Sequence, residues 1–256
     1  MKISVITVTY NNAEGLEKTL SSLSILKIKP FEIIIVDGGS TDGTNRVISR
    51  FTSMNITHVY EKDEGIYDAM NKGRMLAKGD LIHYLNAGDS VIGDIYKNIK
   101  EPCLIKVGLF ENDKLLGFSS ITHSNTGYCH QGVIFPKNHS EYDLRYKICA
   151  DYKLIQEVFP EGLRSLSLIT SGYVKYDMGG VSSKKRILRD KELAKIMFEK
   201  NKKNLIKFIP ISIIKILFPE RLRRVLRKMQ YICLTLFFMK NSSPYDNCPL
   251  YTSDAA

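Results

Sequence analysis

Three widely separated aspartates have the side chains best suited to chemistry, and Asp37 is the first of them. It ends an isoleucine-rich stretch and is followed by GGSTDGT, so its carboxylate could accept hydrogen bonds from a nucleoside while the glycines let backbone approach closely. The alternative is a glycine turn in which Asp42 caps the next helix. The segment matches neither the P-loop, which needs GK[ST], nor the GxGxxG pattern.

Asp89 is the second, and it closes the sequence Asn86-Ala-Gly-Asp directly after an apolar stretch. A carboxylate there could hold Mg²⁺ or Mn²⁺ jointly with a diphosphate, because these hard cations take one or two protein carboxylates together with phosphate oxygens and waters. A turn aspartate without a metal is the alternative.

Asp151 is the third, in the sequence CADYKL at the start of a predicted helix. It could be the base that takes a proton from a hydroxyl nucleophile, or it could be a helix N-cap. The adjoining Cys129 and His130 have no partner at metal-ligand spacing and are interpreted as ordinary residues at the entry to a strand. The sequence contains no GxSxG motif, so Ser-His-Asp hydrolysis is not supported.

A further polar segment, EKDEGIYDAMNKG, runs from residue 61 to residue 73. Its Asp63, Asp68, Asn71 and Lys72 could face a ligand. They could equally form the solvated start of a helix, with acidic side chains near the positive end of the helix dipole.

The elements that must position these residues alternate between strand and helix. Apolar runs predict buried strands, and leucines three or four residues apart predict helices. Strands are predicted at Ile3–Val8, Phe31–Val36, Ile56–Tyr60 and Asp80–Leu85, and helices at Glu14–Leu26, Asn45–Phe51 and Tyr67–Ala77. Later segments predict a hairpin around Glu111–Lys114, a strand at Gly132–Phe135, a helix at Asp151–Phe159 and a strand at Arg164–Thr170. Repeated strand–helix units predict an α/β fold with a mostly parallel central sheet flanked by helices.

Polar segments follow the ends of the predicted strands: Thr9–Asn12, Asp37–Thr44, Glu61–Gly65 and Asn86–Asp89. Ligands of such sheets bind beyond the carboxyl ends of the strands. We therefore expect these four loops to converge on one crevice.

Length and composition describe a folded chain with one large domain. The 256 residues are 44% hydrophobic, which is ample for a core and excludes a largely disordered protein. Five cysteines without a CxxC pair predict free thiols and a reducing cytosol. The N-terminal sequence lacks the apolar region and cleavage site of a signal peptide.

Positive charge is concentrated in one C-terminal region. Between Ser182 and Lys240 there are 17 Lys+Arg and 4 Asp+Glu, a net +13, in a chain whose total is +10. Two apolar stretches, Phe208–Phe218 and Met229–Met239, are each shorter than the roughly 20 residues that span a bilayer. The pattern predicts that residues 184–240 form a basic amphipathic helical extension on an anionic membrane surface.

Two other interpretations of this region are open. A helical pair could pack on the domain or on a second copy, whereas nucleic-acid binding lacks any aromatic-rich motif, so we expect no nucleic-acid partner. Residues 241–256 are expected to be disordered. Leu250–Ala256 (LYTSDAA) resembles a translated sequencing adapter and is expected to be non-native.

Taken in order, the segments resemble the inverting family 2 glycosyltransferases of the bacterial cell-surface polysaccharide type. The resemblance extends over roughly Lys2 to Ser183. It rests on TVTYNN (Thr7–Asn12), VDGGSTDGT (Val36–Thr44), DEGIYDAMNKG (Asp63–Gly73), AKGDLIHYLNAGD (Ala77–Asp89), HQGVIF (His130–Phe135), ADYKL (Ala150–Leu154) and GGVS (Gly179–Ser182). It implies a Rossmann-like GT-A fold with a mostly parallel central sheet, in a domain of residues 1–183.

The resemblance also implies roles for the matching side chains. The residues expected to bind the nucleotide sugar are Thr9, Tyr10, Asn11, Asp37, Asp63, Lys72 and Asn86. Asp89 would ligate Mg²⁺ or Mn²⁺, and Asp151 would be the catalytic base of a transfer that inverts the anomeric carbon. The family's metal motif has a pattern like D-A-D-D, so Asn86 and Gly88 replace two acids here and leave Asp89 as the sole acid of the motif.

The expected partners are a nucleotide-sugar donor, a lipid-linked glycan or oligosaccharide acceptor and an anionic membrane surface. The expected location is the cytoplasm, peripherally attached to the inner face of the cell membrane. A non-catalytic scaffold that binds nucleotide sugars is an alternative, motivated by the reduced motif at Asn86–Asp89. A sugar nucleotidyltransferase is less favoured, because TVTYNN does not resemble its glycine- and arginine-rich phosphate loop.

Overall fold

A computed structural model of the chain describes residues 1–119, 128–178 and 185–200. The chain divides into two units, Met1–Lys185 and Arg186–Ala256. Within the described residues, the strands of the first unit are β1 (Ile3–Thr9), β2 (Glu32–Asp37), β3 (Ile56–Tyr60), β4 (Leu81–Tyr84), β5 (Ser90–Gly93), β6 (Cys103–Glu111), β7 (Lys114–Phe118), β8 (Val133–Pro136) and β9 (Leu168–Asp177). Its helices are α1 (Ala13–Ser24), α2 (Thr44–Ile48), α3 (Ile66–Leu76) and α4 (Ala150–Val158).

The N-terminal half of the sheet is parallel, in the order β3-β2-β1-β4. Side chains alternate between the two faces of a strand, so Val5 and Ile33 pack with Leu16 and Leu20 of α1 in one apolar cluster. The two strands and one helix predicted up to residue 37 thus form the expected layers.

The opposite face of this half is covered by α3. The helix lies close to the sheet at Gly73, where an added Cβ would lie 2.5 Å from Ile6 Cγ2 and 3.3 Å from Val36 Cγ2. A larger side chain at this position would push α3 away from the strands, and α3 carries residues that line the functional cavity described below.

The other half of the sheet is mixed. The order continues β4-β8-β6-β9-β5, in which β8 is antiparallel to β4 and β6, β9 is parallel to β6, and β5 is antiparallel to β9. The predicted hairpin is present as β6–β7, and both turn residues, Asn112 and Asp113, have positive φ angles of 48° and 60°. Paired positive φ angles are typical of the two-residue turn whose twist matches that of the strands.

In this half the bounds of two predicted strands differ from the structure, and one strand was not predicted. The strand predicted at Arg164–Thr170 begins at Leu168 and ends at Asp177, because it follows its long parallel pairing with β6. The strand predicted from Gly132 begins at Val133, because His130–Gly132 forms a 3-10 turn. The short strand β5 was not predicted; two of its four residues are exposed, which removes the apolar pattern.

In the second unit, the structure describes one helix, α5 (Arg186–Lys200). The rest of the predicted extension, residues 201–240, and the expected disordered segment 241–256 lie outside the described residues. Among the residues that are described, no helix has the length and apolar character needed to cross a membrane. Cys103, Cys129 and Cys149 are free thiols, as predicted.

Candidate active site

A cavity of about 1090 Å³ opens beyond the carboxyl ends of β1, β3 and β4, with β9 contributing its last residues. This is the edge where the sequence predicted a crevice formed by four loops. Three of these loops contribute lining residues, whereas the loop Asp37–Thr44 does not, so that part of the prediction was wrong. The lining residues are Asn12, Glu14, Gly15, Lys18, Glu64, Gly65, Ile66, Tyr67, Asn86, Ala87, Gly88, Asp89, Leu109, Ser119, Tyr128, Cys129, His130, Gln131, Lys147, Ile148, Asp151, Tyr176, Asp177 and Lys185.

The loop that carries Asp89 is fixed to helix α1. Thr19 donates a hydrogen bond from Oγ1 to the carbonyl of Asp89 at 2.6 Å, and Asn12, which caps the helix, donates from Nδ2 to the carbonyl of Ala87 at 3.1 Å. Gly88 has a φ of 109°, a conformation that strongly favours glycine. These contacts turn the chain after β4 and place the Asp89 carboxyl group in the cavity wall.

The Asp89 carboxyl group is only 5% exposed and has unusual electrostatics. Its Oδ1 accepts one hydrogen bond from the backbone N–H of Asp177, at 3.1 Å. Burial raises the pKa of Asp89 to about 7. The hydrogen bond from the Asp177 N–H lowers this pKa and the negative charge of Asp177 raises it, while the charge of Lys18 and a hydrogen bond with the Gln131 side chain lower it.

These side chains fit a divalent cation that is only partly coordinated by protein. Asp89 and Asp177 line the same cavity, and a cation there would relieve the cost of ionising the buried carboxyl group. Within the described residues there is no group of three or more His, Cys, Asp or Glu that could form a metal cage. The remaining ligands would therefore have to be phosphate oxygens and waters, as Mg²⁺ commonly accepts.

Asp151 lines the same cavity, as the second residue of helix α4. The N-cap of this helix is Cys149, so the interpretation of Asp151 as an N-cap was wrong. Asp151 Oδ1 accepts hydrogen bonds from the backbone N–H of Tyr152 at 2.8 Å and from the Tyr67 hydroxyl at 3.1 Å. Its Oδ2 lies 3.6 Å from His130 Nδ1, and the side chain is 30% exposed.

Helix α3 fixes the segment that leads to Asp151. Asn71 and Tyr142 exchange two hydrogen bonds: Asn71 Nδ2 donates to the Tyr142 carbonyl at 3.0 Å, and the Tyr142 N–H donates to Asn71 Oδ1 at 2.8 Å. The rings of Tyr67 and Tyr142 stack with centroids 5.2 Å apart, and the Tyr67 hydroxyl also donates to the Ile148 carbonyl at 2.6 Å. Asn71, which the sequence left open as a ligand contact, is thus a buried structural residue.

A second polar cluster lies at the ends of β1 and β2, outside the lining of the cavity. Asp37 is fully buried; its Oδ1 accepts from the N–H of Ser40 at 2.8 Å and of Gly39 at 3.2 Å. Its Oδ2 lies 3.8 Å from His58 Nε2 and has no hydrogen-bond partner in the described part of the chain. Thr9, paired with Asp37 across the sheet, also has a buried Oγ1 without a partner there.

Four other predicted ligand contacts surround this cluster. Tyr10 is 64% exposed, and Asn11 holds the facing loop by accepting the Thr41 N–H on Oδ1 at 2.9 Å. Asp63 lies so close to Gly38 that an added Cβ there would collide with Asp63 Oδ2. Lys72 is less available to bind a ligand, because its ammonium group pairs with Glu61 at 2.8 Å and with Asp68 at 3.3 Å.

The structure therefore divides the predicted site residues into groups. Asn86, Asp89 and Asp151 line the cavity. Thr9, Tyr10, Asn11, Asp37, Asp63 and Lys72 do not line it. The two groups meet at the β1–α1 junction, where Asn11 contacts the loop after β2 and the next residue, Asn12, holds the loop after β4.

Several cavity residues were missed by sequence reasoning. The most prominent are Lys18, Tyr67, His130, Gln131 and Asp177. Lys18 lies on the same helical face as Gly15, at a spacing that could have indicated it. The others lie within or beside segments that carried the family resemblance, but single residues there were interpreted as strand or helix positions.

Comparison with known proteins identifies relatives of the chain. Residues 4–98 match the family model described as Glycosyl transferase family 2. The PGL/p-HBAD biosynthesis glycosyltransferase of Mycobacterium bovis is 29% identical over 223 residues, covering 75% of this chain and 82% of the relative. An uncharacterized glycosyltransferase of Mycobacterium tuberculosis is 36% identical over 92 residues, covering 36% of this chain and 35% of the relative.

Solved structures share the fold at low sequence identity. Residues 1–349 of S. aureus TarS, in complex with UDP-GlcNAc, superpose with a TM-score of 0.58 and 16% identity, covering 89% of this chain and 86% of that one. The mannosyltransferase PcManGT from Pyrobaculum calidifontis, in complex with GDP-Man and Mn²⁺, superposes with a TM-score of 0.53 and 16% identity. The match covers 95% of this chain and 76% of that one. The predicted α/β fold of the GT-A type is confirmed.

Proposed function

We propose, on the premise that the chain belongs to glycosyl transferase family 2 through residues 4–98, that it moves a sugar from a nucleotide-diphosphate sugar to an acceptor hydroxyl with inversion. The observation that carries the proposal is that Asp89 and Asp151 line one cavity of about 1090 Å³. Ligand pockets commonly have volumes of about 300–1,000 Å³, so this cavity is large enough for a donor sugar and part of an acceptor.

Asp151 is the proposed base. Its Oδ1 is engaged by two donors, whereas Oδ2 retains capacity to accept a proton. The acceptor oxygen forms a bond to the anomeric carbon while the bond from that carbon to the diphosphate oxygen breaks. The acceptor proton passes to Asp151, and the electron pair of the broken bond leaves with the diphosphate.

Asp89 is the proposed metal ligand, with Asp177 beside it in the cavity wall. Mg²⁺ or Mn²⁺ held there would supply positive charge against the negative charge that develops on the leaving diphosphate. Lys18 lines the same wall and its charge acts on Asp89, so α1 adds a fixed positive charge near the proposed diphosphate position.

The nucleoside is proposed to bind at the ends of β1, β2 and β3. This placement is supported by the buried oxygens of Asp37 and Thr9, which have no partner within the described residues and could accept or share hydrogen bonds with a ligand. TarS was solved with UDP-GlcNAc and PcManGT with GDP-Man, so uridine and guanosine diphosphate sugars are the first donors to test.

The test of the proposed base is the Asp151→Asn variant. General-base help is worth about 10²- to 10⁴-fold, so turnover should fall by that order while donor affinity changes little. Glu157→Gln is the matched control, because Glu157 lies on the same helix, is 44% exposed and does not line the cavity. Full turnover in Asp151→Asn, measured with the same donor and acceptor, would remove Asp151 from the mechanism.

The acceptor is proposed to be a lipid-linked glycan or oligosaccharide at the inner face of the cell membrane. The support is the net charge of +13 between Ser182 and Lys240, in the proposed extension of residues 184–240 that follows the catalytic domain of residues 1–183. Full-length protein should float with vesicles rich in phosphatidylglycerol at low salt and be released at high salt. Absence from such vesicles at low salt would contradict peripheral attachment.

A non-catalytic scaffold is the second candidate, and it is favoured only by the single acid in the motif Asn86–Asp89. A scaffold would bind nucleotide sugars without consuming them. Donor hydrolysis or transfer in a buffer containing Mn²⁺, abolished in Asp151→Asn, would exclude it.

A further inference from the structure

His130 lies beside the proposed base without any role assigned to it. It begins the 3-10 turn before β8, is 6% exposed and lines the cavity. Its Nδ1 is 3.6 Å from Asp151 Oδ2. That separation is slightly longer than a hydrogen bond, as is common for catalytic pairs before substrate closes the site.

The two ring nitrogens of His130 have different environments. Burial lowers the pKa of His130, against the opposing effect of the Asp151 charge, so the ring is neutral at neutral pH and carries one N–H. Nε2 is buried and has no hydrogen-bond partner among the described residues, whereas Nδ1 faces a carboxylate. The proton therefore belongs on Nδ1, where it has an acceptor.

The imidazole is held in place by its surroundings. Its ring packs against Tyr84 and Tyr142, with centroids 6.2 and 6.3 Å away. Two residues on, Gly132 lies against β6, where an added Cβ would collide with Val107 and come within 2.6 Å of the Ile105 carbonyl. The turn therefore cannot shift outward or inward without repacking, and Nδ1 has a fixed direction.

The opposite oxygen of Asp151 is already engaged. Oδ1 receives the backbone N–H of Tyr152 and shares the Tyr67 hydroxyl proton with the Ile148 carbonyl. These contacts fix one side of the carboxylate, and His130 is the described side chain that faces the other. The orientation of the proton-accepting oxygen thus depends on this imidazole.

We propose that His130 is a positioning residue of the transfer reaction, whose Nδ1–H directs Oδ2 of Asp151 toward the acceptor hydroxyl and stabilises its charged form. This inference rests on the proposed function, because it requires Asp151 to be the base. A carboxylate oxygen has two lone pairs, so Oδ2 can accept the imidazole N–H and still take the proton of the acceptor.

The test compares His130→Leu with His130→Asn in full-length protein. Leucine removes both nitrogens, whereas the asparagine Nδ2 can replace the Nδ1–H donor. We expect kcat to fall about 10- to 100-fold in His130→Leu, with unchanged affinity for UDP and GDP by calorimetry, and to recover most of that loss in His130→Asn. His139→Leu is the matched control, because His139 is a buried histidine of the same aromatic cluster that contacts Tyr84 and Ser140.

The pH profile separates positioning from mere packing. In His130→Leu the acidic limb of kcat should move to higher pH, because the charged carboxylate has lost a donor. The groups on which the Asp151 charge acts from neighbouring elements are Tyr67, Cys129 and Tyr142, and burial raises the pKa of each well above its ordinary value, so they stay protonated across the assay range. The charged side chains of Lys147 and Lys185 line the same cavity.

Each outcome decides one question. Wild-type kcat and an unshifted profile in His130→Leu, while Asp151→Asn is inactive, would overturn the role of His130 and leave the proposed function intact. Full activity of Asp151→Asn would overturn the proposed function itself. Equal losses and equal profiles in His130→Leu and His139→Leu would show a packing role only and would also overturn the inference.

Discussion

Replacing Asp89 by asparagine should stabilise the metal-free protein at alkaline pH, although Asp89 belongs to the proposed site. Burial raises the pKa of Asp89 to about 7 from an ordinary value of 3.8. Between these two pH values the native state holds a proton that the unfolded chain has released. The free energy of unfolding of the wild type therefore falls as pH rises from about 4 to about 7. Above about pH 7 it decreases no further on account of Asp89.

The size of the effect follows from the shift. About three pH units at roughly 1.4 kcal/mol each give a loss of about 4 kcal/mol above pH 7 relative to pH 4. Asparagine has nearly the same shape and its Oδ1 can still accept the N–H of Asp177, but it carries no charge. The free energy of unfolding of the variant minus that of the wild type should thus increase by about 2–4 kcal/mol between pH 4.5 and pH 8.

Urea unfolding in the presence of a chelator is the appropriate measurement. The chain has no tryptophan, so circular dichroism is a better probe than fluorescence. Adding Mn²⁺ at pH 8 should stabilise the wild type more than the variant, because only the wild type has the buried carboxylate. Asp113→Asn is the control. The hydrogen bond from Lys175 lowers the pKa of this exposed group, so this substitution should not increase the free energy of unfolding at alkaline pH. If the difference in free energy of unfolding between Asp89→Asn and the wild type does not change with pH, the reasoning is refuted.

Three further substitutions test the positioning of the site. Tyr67→Phe removes the hydroxyl that contacts Asp151 and Ile148 and should lower kcat by about tenfold in the transfer assay, with donor affinity unchanged. Gly38→Ala should weaken nucleotide binding in calorimetry, because the new Cβ collides with the Asp63 carboxylate. Asn71→Ala breaks both hydrogen bonds to the Tyr142 backbone and should lower the free energy of unfolding in urea by about 2–4 kcal/mol.

The parallel half of the fold was predictable because its signals are local. The apolar runs of β1 and β2 and the leucine spacing of α1 are visible in a short window, and the predicted bounds differ from the structure by one or two residues. The helix predicted at Asn45–Phe51 is shorter in the structure, where α2 ends at Ile48. Residues 49–51 form hydrogen-bonded turns instead of continuing the helix.

The mixed half depends on pairings that no short window contains. Strand β9 pairs with β6 across more than fifty residues, and this pairing, rather than the local pattern, sets where β9 begins and ends. Strand β5 exists because β9 provides its partner, so its four residues carry little signal of their own. β-structure of this kind is decided by context more than by intrinsic preference.

The same distinction explains which site residues were found. Asp89 and Asp151 were indicated by their positions after a strand and at the start of a helix, and both line the cavity. Asp177 was missed because only the β5–β9 pairing brings its backbone to Asp89. His130 was assigned to strand entry because no partner at metal-ligand spacing is nearby in sequence, whereas its actual neighbour, Asp151, is twenty-one residues away.

Asp89 is a buried carboxyl group with a raised pKa, and one oxygen each of Asp37 and Thr9 is buried without a hydrogen-bond partner in the part of the chain that the structure describes. These features have a common consequence for the proposed reaction. Each is a polar group whose burial costs free energy, and that cost falls when a cation or a hydrogen-bonding ligand binds. A nucleotide sugar that binds at this edge of the sheet therefore also removes part of the desolvation cost that these groups impose on the free protein. Thr9 and Asp37 are paired residues of β1 and β2, and Asp89 follows β4, which pairs with β1. Ligand binding should therefore stabilise the strands that form the centre of the sheet. Replacing Asp89 by asparagine should accordingly raise the stability of the free protein at alkaline pH and lower the stabilisation that the donor and its metal confer.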